Sequence, residues 1–354
     1  MSYELTIEPL GQVIALEEGQ TLLDAALRAG IWLPHACCHG LCATCKVQVL
    51  EGEVDLGEAS PFALMDMERS EGKALACCAI AQSDLTIEVE IDEDPDAKVI
   101  PLRDFEASVH AITELTPTIR GIFLKVHNDE IEFQAGQYIN LYVPGIAEPR
   151  AFSIASAPSQ SSLIELNVRK IPGGRATTWL HEDLQVGQTL KFSGPLGRFF
   201  TRHRDPNAVI FMAGGSGLSS PKSMILELLE AGDRRAIYLF QGARNRAELY
   251  YVELFEELAR LHPQFSYVPV LSDEPQDSEW QGARGYVHDA AERAFNSDFR
   301  QHKAYLCGPP PMIEASIRSL MRGRLFERDI HTEKFLSAAD AANNATRSPL
   351  FRNL

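Results

Sequence analysis

The stretch "CCHGLCATCK", residues 37–46, places four cysteines within ten residues and beside one histidine. From Cys37 the spacing is C-x4-C-x2-C, and 31 further residues separate Cys45 from Cys77. Seven cysteines occur in the 354 residues of the chain. Such clustering is compatible with disulfides, with a metal site or with simple packing, and the compartment helps to choose among these.

The N-terminal sequence "MSYELTIEPLGQ" lacks the basic and apolar regions of a secretory signal. No apolar run reaches the roughly 18 residues of a membrane span. We therefore expect a cytoplasmic enzyme that does not enter a membrane. Disulfides are rare in that compartment, so the clustered cysteines are expected to bind metal or to act in redox chemistry.

The cysteine spacing is typical of a plant-type 2Fe-2S site, in which one loop supplies three thiolates and a distant element supplies the fourth. Small residues in the loop, such as Gly40, Ala43 and Thr44, let backbone N–H groups turn toward the sulfurs. Cys38 and Cys78 neighbour ligands and are expected to be bystanders, because using Cys38 would shorten the first gap. The predicted cluster ligands are Cys37, Cys42, Cys45 and Cys77.

Other metal sites fit the pattern less well. A structural zinc site usually has two C-x2-C pairs, and only Cys42 and Cys45 have that spacing. His39 suggests a Rieske centre, but a second histidine near a second cysteine pair is missing from the sequence.

Charge is distributed unevenly along the chain, whose net charge is −16. Residues 1–97 carry 4 Lys and Arg against 19 Asp and Glu, a balance of −15, whereas residues 98–354 carry 29 against 30. This asymmetry argues against nucleic-acid binding and favours a basic protein partner for the first section. An acidic surface that only maintains solubility is the alternative interpretation.

The first section, residues 1–97, is predicted to be a small mixed sheet with one main helix. That helix has Thr21 as its N-cap and Gly30 just past its end. A second short helix is predicted with Ser60 as its cap, Pro61 at its first position and Gly72 at its end. The acidic, proline-containing segment that follows is predicted to be a linker.

Two further sections follow the linker, as expected for a chain of this length. Residues 103–203 show strand after strand separated by turn residues, which predicts a small antiparallel barrel. Residues 205–354 alternate strands and helices before a polar tail, which predicts a doubly wound parallel sheet with its ligand site at the carboxyl ends of the strands.

The barrel section contains two candidate flavin signals. In "RAFSIAS", Arg150 and Phe152 lie on one face of a strand, where a cation holds phosphate and an aromatic ring covers a flat ring. In "GGRATTWL", Gly174 and Thr177 lie at a helix start that is able to bind phosphate. Each feature also occurs in ordinary strands and helix caps, so only their combination favours a cofactor site.

The third section contains two candidate nicotinamide signals. In "AVIFMAGGSGLSS", a strand runs into a loop with Gly214, Gly215 and Gly217 and then into a helix, the context in which a glycine loop binds pyrophosphate. In "YLCGPPPM", Cys307 and Gly308 end a strand at a rigid turn that is able to hold a ring, although a plain strand-ending turn has the same appearance.

The sequence does not decide between NADH and NADPH, which differ at the 2′ position of the adenosine ribose. In "QGARNRAELY", Arg244 and Arg246 follow the second strand of the third section, where a 2′-phosphate would be bound and NADPH favoured. No acidic residue stands directly at the strand end. The residues alone leave both NADH and NADPH possible.

The whole chain resembles the reductase components of bacterial multicomponent oxygenases, in which a 2Fe-2S ferredoxin domain precedes domains similar to ferredoxin–NADP reductases. "FQAGQYINL", "RAFSIAS", "GGSGL" and "CGPPPM" occur in the order of the family motifs. "HGLCATCKVQVLEGEVDLGEASPFALMD", "LACCAI" and "FQGARNRAELY" are most similar to the reductases of phenol hydroxylases. The resemblance implies a β-grasp ferredoxin domain, an FAD-binding barrel and an α/β NAD-binding domain.

The resemblance also implies roles for individual residues. Arg150 would bind the FAD pyrophosphate, Phe152 and Ser153 would border the isoalloxazine, and Gly174 and Thr177 would complete the FAD phosphate site. The residues implied to bind the nicotinamide dinucleotide are Gly214, Gly215, Ser216 and Gly217, and those implied to place the nicotinamide or to lie near the flavin are Cys307, Gly308, Pro309 and Phe335. One departure is Ser220, where the wider superfamily often has proline.

The implied function is NADH-dependent electron transfer through FAD and the 2Fe-2S cluster to a di-iron aromatic monooxygenase, which would dock on the acidic ferredoxin domain. The resemblance implies NADH as the donor. Two alternatives are a reductase of a Rieske-type ring-hydroxylating dioxygenase and a non-enzymatic binding protein whose affinity responds to the redox state of its cluster.

Overall fold

The computed structural model describes residues 2–36, 38, 40–91, 94–127 and 130–335. The predicted ligand Cys37, His39 and the polar C-terminal tail therefore lie outside the described residues. The chain divides into two compact units, one ending at Arg103 and the other beginning at Asp104. In the described ranges, no helix has the length and apolar content that crossing a membrane requires.

The first unit is a small mixed sheet, as predicted. Its elements in chain order are β1 (Ser2–Glu8), β2 (Gln12–Glu17), α1 (Leu22–Arg28), β3 (Lys46–Glu51), β4 (Val54–Asp55), α2 (Asp66–Ser70), β5 (Lys73–Leu75), β6 (Ile80–Ala81) and β7 (Leu85–Glu88). The main sheet has the order β2-β1-β7-β3-β5, and β1 and β7 are parallel. The buried apolar cluster of this unit runs from Leu5 to Val89, so these residues build a core of their own.

Helix α1 has the ends that the sequence predicted. Thr21 is the N-cap, and its Oγ1 accepts the N–H of Asp24 at 3.2 Å, which satisfies one of the free donors of the first turn. Gly30 follows the C-cap Ala29. The helix buries one apolar face, formed by Leu22, Leu23, Ala25 and Ala26.

The predicted start of the second helix is wrong. Ser60 and Pro61 belong to a turn, and α2 begins only after Met65. The Glu68 carboxylate accepts the N–H of Met65 at 3.0 Å, and this contact fixes the helix start there. The predicted end is confirmed, because the chain leaves the helix at Gly72.

The second unit begins with a six-stranded barrel. Its elements are β8 (Arg103–Thr116), β9 (Ile119–Val126), β10 (Tyr138–Tyr142), β11 (Arg150–Ser153), β12 (Leu163–Arg169), α3 (Arg175–Glu182) and β13 (Thr189–Leu196). The strand order is β11-β10-β13-β8-β9-β12. A bridge between Ile154 and Leu166 joins the two ends of this order and closes the barrel. The sequence analysis did not assign β8, whose first half alternates apolar and polar residues but is rich in types of low strand propensity, such as Glu106 and Ala107.

The second unit continues as a parallel sheet flanked by helices. Its elements are β14 (Ala208–Gly214), α4 (Ser219–Glu230), β15 (Ile237–Ala243), α5 (Val252–Leu261), β16 (Phe265–Leu271), β17 (Ala283–Arg284), α6 (Val287–Phe295), β18 (His302–Gly308), α7 (Pro310–Arg322) and β19 (Ile330–Lys334). The order β17-β16-β15-β14-β18-β19 is parallel throughout. The predicted doubly wound sheet is confirmed, and β17 and β19 are additions to it.

The strand order reverses direction between β14 and β18. Strands β15, β16 and β17 extend the sheet on one side of β14, and β18 and β19 extend it on the other. Ligands of doubly wound sheets bind in the crevice at such a switch point. The strands of both predicted nicotinamide motifs end there, because Gly214 is the last residue of β14 and Gly308 is the last residue of β18.

The barrel and the parallel sheet share part of their core. Ile119, Ala135 and Phe199 of the barrel section belong to the same buried cluster as Phe211 and Tyr305 of the sheet. This shared burial explains why the two sections form one compact unit. The finer boundaries predicted for the three sections, 1–97, 103–203 and 205–354, stay predictions.

Candidate functional site

The cysteine loop of the first unit is folded tightly. Cys38, Gly40 and Ala43 all have left-handed backbone conformations, with φ of 55°, 70° and 61°. A Cβ on Gly40 would lie 2.7 Å from the Sγ of Cys78, so only glycine fits this position. The carbonyl of Gly40 also accepts the N–H of Ser60 at 3.0 Å. These contacts hold the loop against the segment around Ser60.

The described thiols of this unit differ in their surroundings. Cys45 is buried, and Cys42 and Cys77 are partly buried. A hydrogen bond with Cys45 and burial raise the pKa of the Cys77 thiol, while a backbone N–H of Gly40 lowers it. Burial and the neighbouring Cys77 raise the pKa of Cys78 to about 12. Cluster ligands are thiolates, and the charge of a bound cation favours that form.

The soft thiol donors of this loop fit an iron–sulfur cluster, which Cys37, Cys42, Cys45 and Cys77 would hold. Over the part of the chain that the structure describes, no group of three or more His, Cys, Asp or Glu side chains converges on one point. Because Cys37 lies outside that part, the four-cysteine ligand set stays a prediction.

The predicted flavin residues lie on β11 and at the start of α3. Arg150 donates to the Glu148 carbonyl at 2.9 Å and to the carbonyl of Pro149 at 3.0 Å. Phe152 is half-buried and packs against the barrel core. Ser153 is buried at the end of β11 and directs its hydroxyl toward the parallel sheet.

Gly174 is the N-cap of α3, so the free N–H groups of the first turn follow it. The hydroxyl of Thr177 accepts the N–H of Ile171 at 3.1 Å and donates to the Gly174 carbonyl at 3.2 Å. Thr177 thus shapes the turn that presents these N–H groups. A guanidinium and a helix N-terminus are both groups that bind phosphates, so both fit FAD, and the individual roles stay predictions.

The predicted nicotinamide residues meet at the switch point. A Cβ on Gly217 would lie 2.5 Å from the carbonyl oxygen of Cys307 and 2.6 Å from the Cα of Gly308, so the glycine loop and the end of β18 are in direct backbone contact. Ser216 accepts the hydroxyl of Ser219 at 2.8 Å through its carbonyl. Pro309 is the N-cap of α7 and begins the rigid turn that the sequence predicted.

Glu333, which the sequence analysis missed, connects the two halves of the site. Its Oε2 accepts hydrogen bonds from Ser220 at 2.6 Å, from Ser153 at 3.2 Å and from the Cys307 thiol at 3.4 Å. Burial raises the pKa of the Glu333 carboxyl, and the three donors act in the opposite direction. The strand with the predicted flavin residues and the predicted nicotinamide turn therefore converge on one carboxylate.

Ser220 and Phe335, which the sequence analysis singled out, both lie close to Glu333. Ser220, the departure from the superfamily pattern, supplies the shortest hydrogen bond to Glu333. Phe335, predicted to lie near the flavin, donates its N–H to the carbonyl of Gly308 at 3.0 Å and is half-buried. The only sequence signal for Glu333 was its position two residues before Phe335 in "TEKF".

A buried ion pair ties helix α4 to the barrel. Lys222 and Glu165 lie 2.6 Å apart, and each is about 95% buried, with exposures of 5% and 4%. Lys222 also donates to the carbonyl of Ala155 at 3.2 Å, and the Tyr251 hydroxyl donates to Glu165. Ser223 donates to the carbonyl of Ser156 at 2.6 Å. These contacts connect the helix that follows the glycine loop to the segment that follows β11.

Three family models match the chain in the order of its sections. Residues 5–82 match the 2Fe-2S iron-sulfur cluster binding domain, residues 106–201 match the oxidoreductase FAD-binding domain, and residues 211–318 match the oxidoreductase NAD-binding domain. The phenol 2-monooxygenase reductase component DmpP of Pseudomonas sp. (strain CF600) is 60% identical over 354 residues, which is 100% of both chains. The chain belongs to the phenol hydroxylase reductase family.

Further relatives support this family assignment. The phenol hydroxylase P5 protein of Acinetobacter pittii (strain PHEA-2) is 57% identical over 100% of both chains. The crystal structure of the Amycolatopsis cytochrome P450 reductase GcoB has a TM-score of 0.86 and 37% identity, and the match covers 94% of this chain and 98% of that one. The ferredoxin reductase of carbazole 1,9a-dioxygenase has a TM-score of 0.78 and 28% identity, covering 95% and 99%.

As a member of the phenol hydroxylase reductase family, the chain is an NADH-dependent oxidoreductase with FAD and 2Fe-2S cofactors. When bound, these cofactors supply the conversion of a two-electron hydride donor into single electrons. Residues of the chain would position them: the barrel would supply a cation and a helix N-terminus, and the switch point would supply the glycine loop, the Cys307 turn and Glu333.

Proposed function

We propose that this reductase transfers electrons from NADH, through FAD and the 2Fe-2S cluster, to the hydroxylase component of a phenol-type di-iron monooxygenase in the cytoplasm. The observation that carries the proposal is the convergence of β11 and the Cys307 turn on Glu333 at the switch point. That arrangement brings a flavin-binding strand and a nicotinamide-binding turn to the same carboxylate. The 60% identity to a phenol 2-monooxygenase reductase over the full chain supports the choice of partner.

In this proposal the chain contributes positioning rather than acid–base chemistry. Arg150 and the first turn of α3 hold the FAD phosphates, and the glycine loop holds the dinucleotide pyrophosphate. Glu333 fixes the Ser153 hydroxyl and the Cys307 thiol, which face the reacting rings. Fixed partners of this kind lower the entropy cost of bringing a hydride donor and acceptor together.

A Rieske-type dioxygenase is the nearer alternative partner, because it would need the same cofactors. The reductase of carbazole 1,9a-dioxygenase is 28% identical to this chain, against 60% and 57% for the phenol hydroxylase relatives. This difference supports a phenol-type monooxygenase. Pairing assays of the purified reductase with each class of oxygenase decide between them, since only the correct partner turns over its substrate.

The oxygenase is proposed to dock on the first unit. Residues 1–97 have a charge balance of −15, and exposed apolar side chains flank the cysteine loop. Phe62 is 85% exposed and lies two residues after Ser60. The N–H of Ser60 donates to the carbonyl of Gly40, which belongs to the cysteine loop. Leu41 and Met65 are also exposed. Exposed apolar side chains on an acidic domain fit a partner whose binding surface has apolar residues at its centre and basic residues around them.

Two measurements test this docking surface. Turnover with the oxygenase is expected to fall steeply as ionic strength rises, while NADH-driven bleaching of the flavin, which needs no protein partner, changes much less. A flat salt dependence of turnover contradicts the proposal. Phe62→Ala is expected to lower oxygenase turnover by about 10-fold. Val13→Ala removes another exposed apolar side chain of the same unit and serves as the matched control.

The electron-transfer function itself is tested by the visible spectrum of the anaerobic protein before and after one equivalent of NADH. Overlapping flavin and iron–sulfur bands that bleach on mixing are expected. A yellow protein that bleaches would contradict the cluster, and a protein that shows no bleaching after cofactor reconstitution would contradict the whole proposal. Fast bleaching coupled to acceptor reduction would also exclude a purely regulatory binding protein.

A further inference from the structure

The segment after β15 borders the glycine loop. Gly242 of β15 lies beside Gly214 of β14 in the parallel register. The hydroxyl of Tyr250 donates to the carbonyl of Gly215 at 2.9 Å, which ties the end of this segment to the loop. In doubly wound dinucleotide folds, the adenosine ribose lies at the end of the strand that follows the phosphate loop. The residues between Ala243 and Tyr250 are therefore placed to contact the ribose.

The two arginines in this segment, Arg244 and Arg246, differ in whether their guanidinium groups form an ion pair. Arg246 is exposed, and its guanidinium has no ion pair with any residue in the described ranges. Arg244 is held by Glu248 in a bidentate pair, with the Nε of Arg244 3.1 Å from Oε2 and with Nη2 bonded to Oε1. The donors of the Arg244 guanidinium are thus engaged by Glu248 before any ligand binds.

Further carboxylates surround these arginines. The Glu274 carboxylate accepts the backbone N–H of Arg246 at 3.0 Å. Asp273 donates its backbone N–H to the carbonyl of Arg244 at 2.7 Å, so its side chain also belongs to the end of the sheet. A ribose hydroxyl is compatible with nearby carboxylates, because it donates a hydrogen bond, whereas a 2′-phosphate carries negative charge and is repelled.

We propose that Glu248 is a specificity-determining residue, which disfavours NADPH by occupying the Arg244 guanidinium that would otherwise bind the 2′-phosphate. Glu248 lies on the segment whose Tyr250 anchors the glycine loop, so it acts at the ribose end of the site. The inference rests on the proposed binding of the dinucleotide at the glycine loop. Without Glu248, Arg244 joins Arg246 as a two-cation site for a phosphate.

The test compares NADPH and NADH as donors for ferricyanide reduction by the full-length, cofactor-loaded protein. Glu248→Gln is expected to raise the ratio of kcat/KM for NADPH to that for NADH by about 10-fold or more, because a released arginine makes charge-assisted hydrogen bonds to phosphate. The double variant Glu248→Gln/Arg244→Gln is expected to return the ratio close to the wild-type value. Reversal by the second substitution separates phosphate binding from a general disturbance of the loop.

Two controls keep the test independent of folding. Glu257→Gln breaks another exposed Arg–Glu pair, with Arg260 on α5, and is expected to leave the ratio unchanged. Arg244→Gln alone leaves Glu248 unpaired and is expected to lower the ratio or leave it unchanged, because Glu248 already occupies the guanidinium that this variant removes. A rise of the ratio in Arg244→Gln as large as that in Glu248→Gln would show that the gain needs no released Arg244 and would overturn the proposal.

Two other outcomes also contradict the proposal. The first is a ratio that stays within about 2-fold of the wild-type value in Glu248→Gln, since charge-assisted contacts are worth more than that. The second is a gain that persists in the double variant. Failure of the wild-type protein to oxidise NADH contradicts the proposed function instead, so the two failures are distinguishable.

Discussion

The cysteine loop and the Glu333 site are built in opposite ways. The loop supplies its thiols from neighbouring positions, and its shape comes from left-handed residues such as Gly40 and Ala43. The Glu333 site draws single residues from β11, α4, β18 and β19, which lie up to 180 residues apart in the chain. A local loop depends mainly on its own residues, whereas an assembled site depends on how well its elements are held together.

The cysteine loop gives the strongest test of this difference. Cys42→Ser is expected to abolish the iron–sulfur absorption, because a cluster of this type needs four thiolates. NADH-driven bleaching of the flavin is expected to persist, since the Glu333 site shares no residue with the loop. Cys78→Ser, which alters the predicted bystander, is the matched control and is expected to keep the cluster bands. Loss of those bands in Cys78→Ser would reassign the fourth ligand.

The second test concerns what holds the assembled site together. Lys222→Met leaves Glu165 buried without its cation and is expected to destabilise the second unit by about 3–5 kcal/mol in urea unfolding followed by flavin fluorescence. Replacing both partners, in Lys222→Met/Glu165→Leu, is expected to restore most of that stability. Lys170→Met breaks an exposed pair with Glu182 of the same unit and is the control. Equal losses from Lys170→Met and Lys222→Met would contradict this account.

The third test acts at the carboxylate itself. Glu333→Ala is expected to slow NADH-driven flavin reduction by about 10²-fold, because misplacement of reacting groups costs that much. Glu333→Gln keeps an acceptor for Ser153 and Ser220 and is expected to lose less. Stopped-flow bleaching at 450–470 nm, roughly the flavin band, measures both rates. Similar rates in Glu333→Ala and the wild type would remove Glu333 from the site.

Glu333 also affects how stability depends on pH. Its folded pKa is raised from the ordinary value of 4.5, so its protonated form is favoured in the folded state. The resulting stability is fully present below pH 4.5 and is lost as pH rises through the raised pKa. Glu333→Gln is expected to flatten this decline, which urea titrations at several pH values detect.

The smallest effect is expected at a helix end of the first unit. Thr21→Ala removes the acceptor for the N–H of Asp24 and is expected to cost about 1 kcal/mol of unfolding free energy. Thr21→Ser keeps the hydroxyl and is expected to behave like the wild type. Thermal unfolding followed at the cluster absorption measures both. A cost several times larger would show that Thr21 supports more of the first unit than the start of α1.

The same contrast explains what the sequence could predict. The cysteine spacing, the Thr21 cap and the glycine loop are local patterns with local causes, so they were readable without the fold. Glu333 and the Lys222–Glu165 pair were not, because their partners become neighbours only when β19 joins the sheet and α4 packs on the barrel. The wrong start of α2 has a local cause as well. The Glu68 carboxylate accepts the N–H of Met65, and this contact places the start of the helix after Met65 and not at Ser60.

Strand β8 and the ribose segment illustrate the same limit. β8 alternates apolar and polar residues, but Glu106 and Ala107 have low strand propensity, and the strand became clear only in the barrel. The sequence showed Arg244 and Arg246 as equivalent cations, and only the Glu248 contact separates them. Sequence patterns therefore indicated which cofactors the chain binds. They did not indicate which side-chain contacts adjust that binding.

The self-contained core of the first unit has an evolutionary consequence. Among the described residues, its buried cluster lies between Leu5 and Val89 and includes no apolar residue of the second unit. In the proposed docking, this unit, which ends at Arg103, is the electron outlet. A change of oxygenase partner would then act on the surface of this unit and leave the core of the second unit unchanged.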